Sequence, residues 1–143
     1  MNKNHPPTTF GVFKPVGHTV IGFYTEVELQ STVVALRALG FSDSSMVHYS
    51  AAEMAAQADA ELLNASPVAT AGYELVLVHT HRDLARKGCC FLVVDAPTDD
   101  LAAQVAALVH RIQPATAQHY GRFMIEDLTE KTPASVGVKE VVG

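Results

Sequence analysis

A chain of 143 residues that is 48% hydrophobic and 17% charged can bury one core without disulfide staples, and it is too apolar to be disordered. Its net charge of −5, with a pI near 5.7, gives no electrostatic reason to bind nucleic acid or an anionic membrane, and no apolar run nears the roughly 20 residues of a membrane span. Met1 to Pro7 is polar and lacks the apolar stretch of a secretory signal. The two cysteines, Cys89 and Cys90, are adjacent, and a bond between neighbours closes a strained ring. Free thiols and a cytoplasmic setting are therefore expected.

Residues 1–17 carry Pro6, Pro7, Gly11, Pro15 and Gly17 and read as an irregular arm. Thr19 to Tyr24 is short, aromatic and β-branched, which suits a first strand. Thr25 then opens a helix, because its hydroxyl can cap the backbone while Glu28 reaches back in a capping box. Leu29, Val33 and Leu36, flanked by Val34 and Leu39, form its apolar stripe, and Gly40 is a natural left-handed stop on which Phe41 packs back. Ser45 to Tyr49 suits a second strand. Ser50 and Glu53 repeat the capping box ahead of an alanine-rich helix to about Asn64, with Ala51, Met54, Ala58 and Leu62 on one face. Ser66-Pro67 breaks that helix.

Residues 72–87 carry two competing signals. Tyr73 to Val78 has strand propensity, but Arg86-Lys87-Gly88 is a helix ending, with cations at the negative end of the dipole and then glycine. The helix is the better reading, and it makes residues 51–87 a helical hairpin. Cys89 to Val94 is the clearest strand. Thr98-Asp99-Asp100 opens a helix whose core face is Leu101, Val105, Leu108, Val109 and Ile112, and Pro114 ends it. Ala117 to Ile125 reads as one last strand, and 136–142 can add an edge strand.

The order strand–helix–strand, helical hairpin, strand–helix–strand predicts an α+β sandwich of ferredoxin-like type. Its two split βαβ halves would lie in a single domain over 18–128, with the helical insertion at about 51–87 and a tail over 129–143. Strands covered on one face alternate apolar and polar residues, whereas Cys90 to Val94 is apolar throughout. The second face of the sheet must therefore be covered, by the inserted helices and tails or by another subunit. A homodimer is the expected partner state.

Seven histidines invite a metal reading. His79 and Asp83 share a helical face, but His79 and His81 point apart, and no HExxH pattern is present. His18, His48 and His119 lie on three strands and would meet only in a favourable register. Cys89 and Cys90 lack CxxC spacing, and on a strand they face opposite sides, which suits small core residues. The most suggestive grouping is His119-Tyr120-Gly121-Arg122. On a continuous strand Tyr120 and Arg122 share a face, Gly121 permits close approach, and Arg122 could hold a carboxylate or phosphate with Tyr120 donating. Arg122 paired with Glu126 is the plain alternative. Tyr120, Arg122, His119 and His48 are thus the candidate ligand-binding residues, with no catalytic residue, metal site or cofactor assigned.

The stretch from Val20 to Phe41, with TEVELQSTVVALRALGF, resembles small bacterial general-stress-protein-like proteins, in which a βαβ unit carries a similar acidic helix start and an LRxxGF ending. HYGRFMIEDL, His119 to Leu128, is similar to the last strand of such proteins. The resemblance spans about half the chain. It implies the ferredoxin-like fold and a bacterial, cytoplasmic protein, and it transfers no catalytic residue. The leading functional expectation is a non-enzymatic dimeric regulatory or stress-related module. The alternatives are a small-ligand or anion sensor, or small enzyme, on a dimeric scaffold, and a histidine-based metal binder.

Overall fold

The computed structural model of the chain describes residues 1–9, 12–64, 72–129 and 138–141. Within the arm, Thr8–Thr9 (β1) and Val12–Phe13 (β2) pair antiparallel as a small hairpin. His18–Phe23 (β3) leads into Glu26–Ala38 (α1) through the expected capping box. The Glu28 N–H donates to the Thr25 hydroxyl at 3.2 Å, and the Thr25 N–H donates to the Glu28 carboxylate at 3.0 Å. Gly40, at φ +101°, then lets the Phe41 N–H close on the Leu36 carbonyl at 3.0 Å. Leu29, Val33 and Leu36 are buried, but Val34 and Leu39 are exposed, so the stripe is narrower than the spacing suggests.

Met46–Tyr49 (β4) precedes Ala51–Asn64 (α2). That helix starts with the second capping box, Ser50 N–H to Glu53 at 2.9 Å and Glu53 N–H to Ser50 Oγ at 3.1 Å. The Ser66-Pro67 break lies outside the described residues. Tyr73–Arg86 (α3) is helical, so the ending signal outweighed the strand propensity. Leu77, Val78, His81 and Ala85 turn to the sheet at helical spacing. Cys90–Asp95 (β5) is followed by Asp99–Ile112 (α4), whose Leu101 N–H donates to the Thr98 hydroxyl at 3.2 Å.

The last strand departs from expectation. Residues 117–125 are not one strand but parts of two, Thr116–Tyr120 (β6) and Met124–Asp127 (β7), paired antiparallel. The Gly121 N–H donates to the Met124 carbonyl at 2.9 Å, and a Cβ on Gly121 would lie 3.0 Å from that same oxygen. The close approach that glycine permits here is made by its own chain. Val138–Val141 (β8) pairs with β7 as the expected edge strand; most of the remaining tail lies outside the described residues.

The sheet order is β4-β5-β3-β6-β7-β8, antiparallel throughout. β5 lies between the strands of the β3–α1–β4 unit, and β3 lies between those of the β5–α4–β6 unit. This interleaving is the split βαβ arrangement that the sequence implies, in an α+β sandwich. Helices α1 and α4 cover one face over Ile21, Phe23, Leu92 and Val94. The α2–α3 hairpin covers the other over Val20, Tyr49, Phe91 and Val93. Both faces of β3 and β5 are therefore dry, and each large aliphatic side chain so buried contributes about 1.5–3 kcal/mol. Since the insertion supplies this cover within one chain, the unbroken apolar strands no longer require a second subunit. Among the described residues no helix is long and apolar enough to cross a membrane.

Candidate functional site

The turn between β6 and β7 separates the residues expected to act together. Tyr120 points inward at 1% exposure, with its ring centroid 6.2 Å from that of Phe13. Burial first, and then the Glu61 charge, push its phenol well above the ordinary value. Arg122 is exposed in the turn. The shared face assumed for the pair needed a continuous strand, so Tyr120 and Arg122 do not come together as expected. Arg122→Ala is expected to change stability by less than about 0.5 kcal/mol in urea denaturation, as for an exposed side chain outside the core; a loss above 1 kcal/mol would reveal a partner for the guanidinium.

His119 faces the α4 side, with Nδ1 2.9 Å from Thr19 Oγ1. It shares a shallow groove of about 320 Å³ with Asp99 and with Glu126, its cross-strand neighbour. Burial and then nearby His18 lower its pKa, against the opposing pull of Asp99. His48 pairs instead with Glu26 at the start of α1, 2.9 Å away. His18 stands opposite Tyr120 in the sheet, 3.8 Å from Asp95. The three strand histidines therefore do not converge.

Arg82 lies beside both members of the His79–Asp83 pair, its Nη2 3.4 Å from His79 Nδ1 and its Nε 3.8 Å from Asp83 Oδ1. Among the described residues no three His, Cys, Asp or Glu side chains are placed to hold a metal ion. Cys89 and Cys90 are free and buried on opposite faces of the sheet. Burial raises both thiols, Cys90 to about 11, the reverse of an activated nucleophile.

The polar groups that the structure does gather lie beneath the α2–α3 hairpin. His81, 1% exposed, has Nε2 3.0 Å from Gln118 Oε1, and the Gln118 amide donates to Thr116 Oγ1 at 2.6 Å. Burial drives the imidazole down to about 4, against the pull of Gln118, so it is neutral at pH 7. Its ring meets Phe91 edge-on at 5.3 Å. This chain is satisfied and fixes α3 on the sheet.

A second group is not satisfied. Tyr49, Gln57 and Glu61 line a cleft of about 500 Å³ between α2 and the N-terminal arm, together with Lys3, Asn4, Pro6, Glu53, Ala56, Ala60 and Asn64. The arm forms the outer wall. It is tied down by Lys3 Nζ, 2.7 Å from Glu53 and 3.3 Å from the His48 carbonyl, and by Lys14, 3.6 Å from Glu74. Lys3 and the Ser50 backbone hold Glu53 down at about 2.

At the cleft floor the Phe13 N–H donates to Glu61 Oε2 at 2.9 Å, whereas Glu61 Oε1 and the Tyr49 hydroxyl are buried without a hydrogen-bond partner among the described residues. Burial pushes the Glu61 carboxyl up to about 7, with Phe13 and Gln57 pulling the other way. Burial, then the charges of Glu61 and Glu53, raise the Tyr49 phenol far above its ordinary value. Gln57, one turn before Glu61, draws both groups back, yet its geometry falls short of a formed hydrogen bond to either orphaned atom.

Neither Tyr49 nor Glu61 was singled out from the sequence. Glu61 does carry a signal there: Met54, Ala58 and Glu61 are spaced i, i+4, i+7, which sets a carboxylate on the apolar stripe. Tyr49 carried none, since tyrosine at a strand end is ordinary. No protein-family model, curated protein or solved structure matches the chain.

Proposed function

We propose that this protein is a small-molecule-binding domain of regulatory type, with its site in the cleft between the N-terminal arm and α2. One observation carries the reading: Tyr49 and Glu61 each bury an unpaired polar atom while lining the same cleft. Each such atom costs about 1–3 kcal/mol, which a ligand with complementary groups would offset. The stress-related setting belongs to the proposal too, and is supported only by the motifs of 20–41 and 119–128.

A second reading is favoured by Glu61 itself. A buried carboxyl at about 7, in a cleft and beside a tyrosine, has the proton affinity of a general acid–base group. The small-enzyme alternative would use Glu61 in that role.

A thermal-shift screen over small cations, anions and neutral polar compounds tests the binding reading. Hits are expected to raise Tm by about 3–4 °C, the equivalent of roughly 1 kcal/mol. The shift should disappear in Tyr49→Phe. Hits that shift Tyr49→Phe as much as the parent protein would move the site elsewhere and refute the proposal. A binder loses affinity in Glu61→Gln, whereas an enzyme keeps much of its affinity and loses turnover.

A further inference from the structure

We infer that the ligand of this cleft is a small organic cation, an aliphatic ammonium whose N–H donors reach Glu61 Oε1 and the Tyr49 oxygen. The inference rests on the binding reading above and adds the chemical class.

Among the described residues, three charged side chains line the cleft: Lys3, Glu53 and Glu61. Lys3 and Glu53 neutralise one another at 2.7 Å, which leaves the Glu61 carboxylate without a cation. One of its oxygens is occupied by the Phe13 N–H and the other is empty. A bound carboxylate would face that charge directly, and a neutral alcohol would leave it buried and uncompensated.

An ammonium answers both needs. One N–H goes to Glu61 Oε1, a second to the Tyr49 hydroxyl oxygen, and a third to the Gln57 carbonyl, all acceptors on the cleft floor. Gln57 lines the cleft and draws on both groups, so the incoming group displaces its amide to reach them. Pro6, Ala56 and Ala60 give the wall an apolar stretch for a short hydrocarbon body.

The other groups around Glu61 do not supply the missing charge. Tyr49 from β4 and Tyr120 from β6 feel its charge and are held neutral well beyond pH 8. From the arm, Lys14 is paired with Glu74 of α3, as Lys3 is with Glu53 of α2. The carboxyl, pushed up to about 7 by burial, gains its charge as pH rises past neutrality.

Three four-carbon probes test this on the full chain by NMR titration at pH 7.5: n-butylammonium, butan-1-ol and butyrate. Butylammonium should perturb the amides of Tyr49, Gln57 and Glu61 with at least tenfold higher affinity than the other two. Its affinity should rise about tenfold from pH 6 to pH 8, following the ionisation of one carboxyl near 7. Glu61→Gln should abolish the preference.

Equal or tighter binding of butan-1-ol or butyrate at the same amides would overturn the cation assignment while leaving the cleft as a binding site. Failure of every probe, with the broader screen also giving no Tyr49-dependent hit, would overturn both.

Discussion

Glu61→Gln is expected to stabilise the domain at pH 8 and to uncover a strong acid sensitivity that the parent protein conceals. The Glu61 carboxyl rises from an ordinary 4.5 to about 7 on folding, mainly through burial. A carboxyl raised in this way gives its full support below pH 4.5 and loses it as pH climbs through 7, a difference of about 3 kcal/mol. His81 works in the opposite sense. Burial lowers it from 6.5 to about 4, so its support is complete above pH 6.5 and is lost as pH falls through 4, again by about 3 kcal/mol.

Between pH 4.5 and 6.5 the two slopes cancel, and the contribution of the pair to stability is flat. With Gln at position 61 only the His81 slope remains, and stability should climb by about 3 kcal/mol from pH 4 to 6.5 and then level off. At pH 8 the variant should exceed the parent by about 2 kcal/mol, once the unmet hydrogen bonds of a buried amide are subtracted. His81→Gln should show the reverse, with stability falling as pH rises from 4.5 to 7. Urea denaturation at half-unit steps from pH 4 to 8 measures all three profiles. Superimposable curves for Glu61→Gln and the parent would mean that the carboxyl is not held protonated by burial.

Gly22→Ala should be the most damaging conservative change in the sheet. Gly22 sits near the end of β3 on the face covered by α2 and α3, opposite Phe91 on one side and Thr116 on the other. A Cβ there would lie 2.8 Å from Phe91 Cε2 and 2.9 Å from Thr116 Cγ2. Phe91 is fully buried with His81 against its edge, so the ring cannot swing clear without breaking that packing. Overpacking of this kind costs about 1–3 kcal/mol, to be read as a lower urea midpoint at unchanged slope. Pairing it with Phe91→Leu should recover part of the loss by making space, so the double variant should be less destabilised than the sum of the singles. If Gly22→Ala is neutral, the strand breathes enough to absorb a methyl group, and the tight β3–β5–β6 contact is wrong.

Local signals carried most of the fold. Thr25 with Glu28, Ser50 with Glu53, and Gly40 with Phe41 act over one helical turn, and each cap forms as its spacing demands. The helical reading of 73–86 also came from a local signal, the Arg86-Lys87-Gly88 ending. Continuous apolar character in Cys90 to Val94 announced that both faces of the sheet are covered, because a strand alternates only when one face meets water. It could not say what covers them. A helical hairpin and a second subunit bury the same side chains from water, and only the packing of Met54, Ala58, Leu77 and Val78 onto Phe91 and Val93 decides for the hairpin.

The site was the least legible part, because it depends on contacts across long separations in sequence. A parity argument joined Tyr120 to Arg122, and one backbone hydrogen bond, Gly121 N–H to the Met124 carbonyl, undoes it by turning the chain. Glu61 shows the converse. Its place on an apolar stripe is visible in the residues alone, since helical spacing sets which side chains share a face. Whether that carboxylate meets a lysine, water or an empty cleft depends on where the arm is laid down, 48 residues earlier in the chain. From the sequence alone follow the helices and their caps, the split βαβ order and the need for cover on both faces of the sheet, but not the turn that divides 117–125 between two strands. The tertiary structure alone decides that the cover is the chain's own hairpin, and that Glu61 Oε1 and the Tyr49 hydroxyl find no partner beneath the arm among the described residues. Propensity and capping are fixed by neighbours within a turn, whereas the pairing of a buried polar group is fixed by whatever the folded chain brings against it.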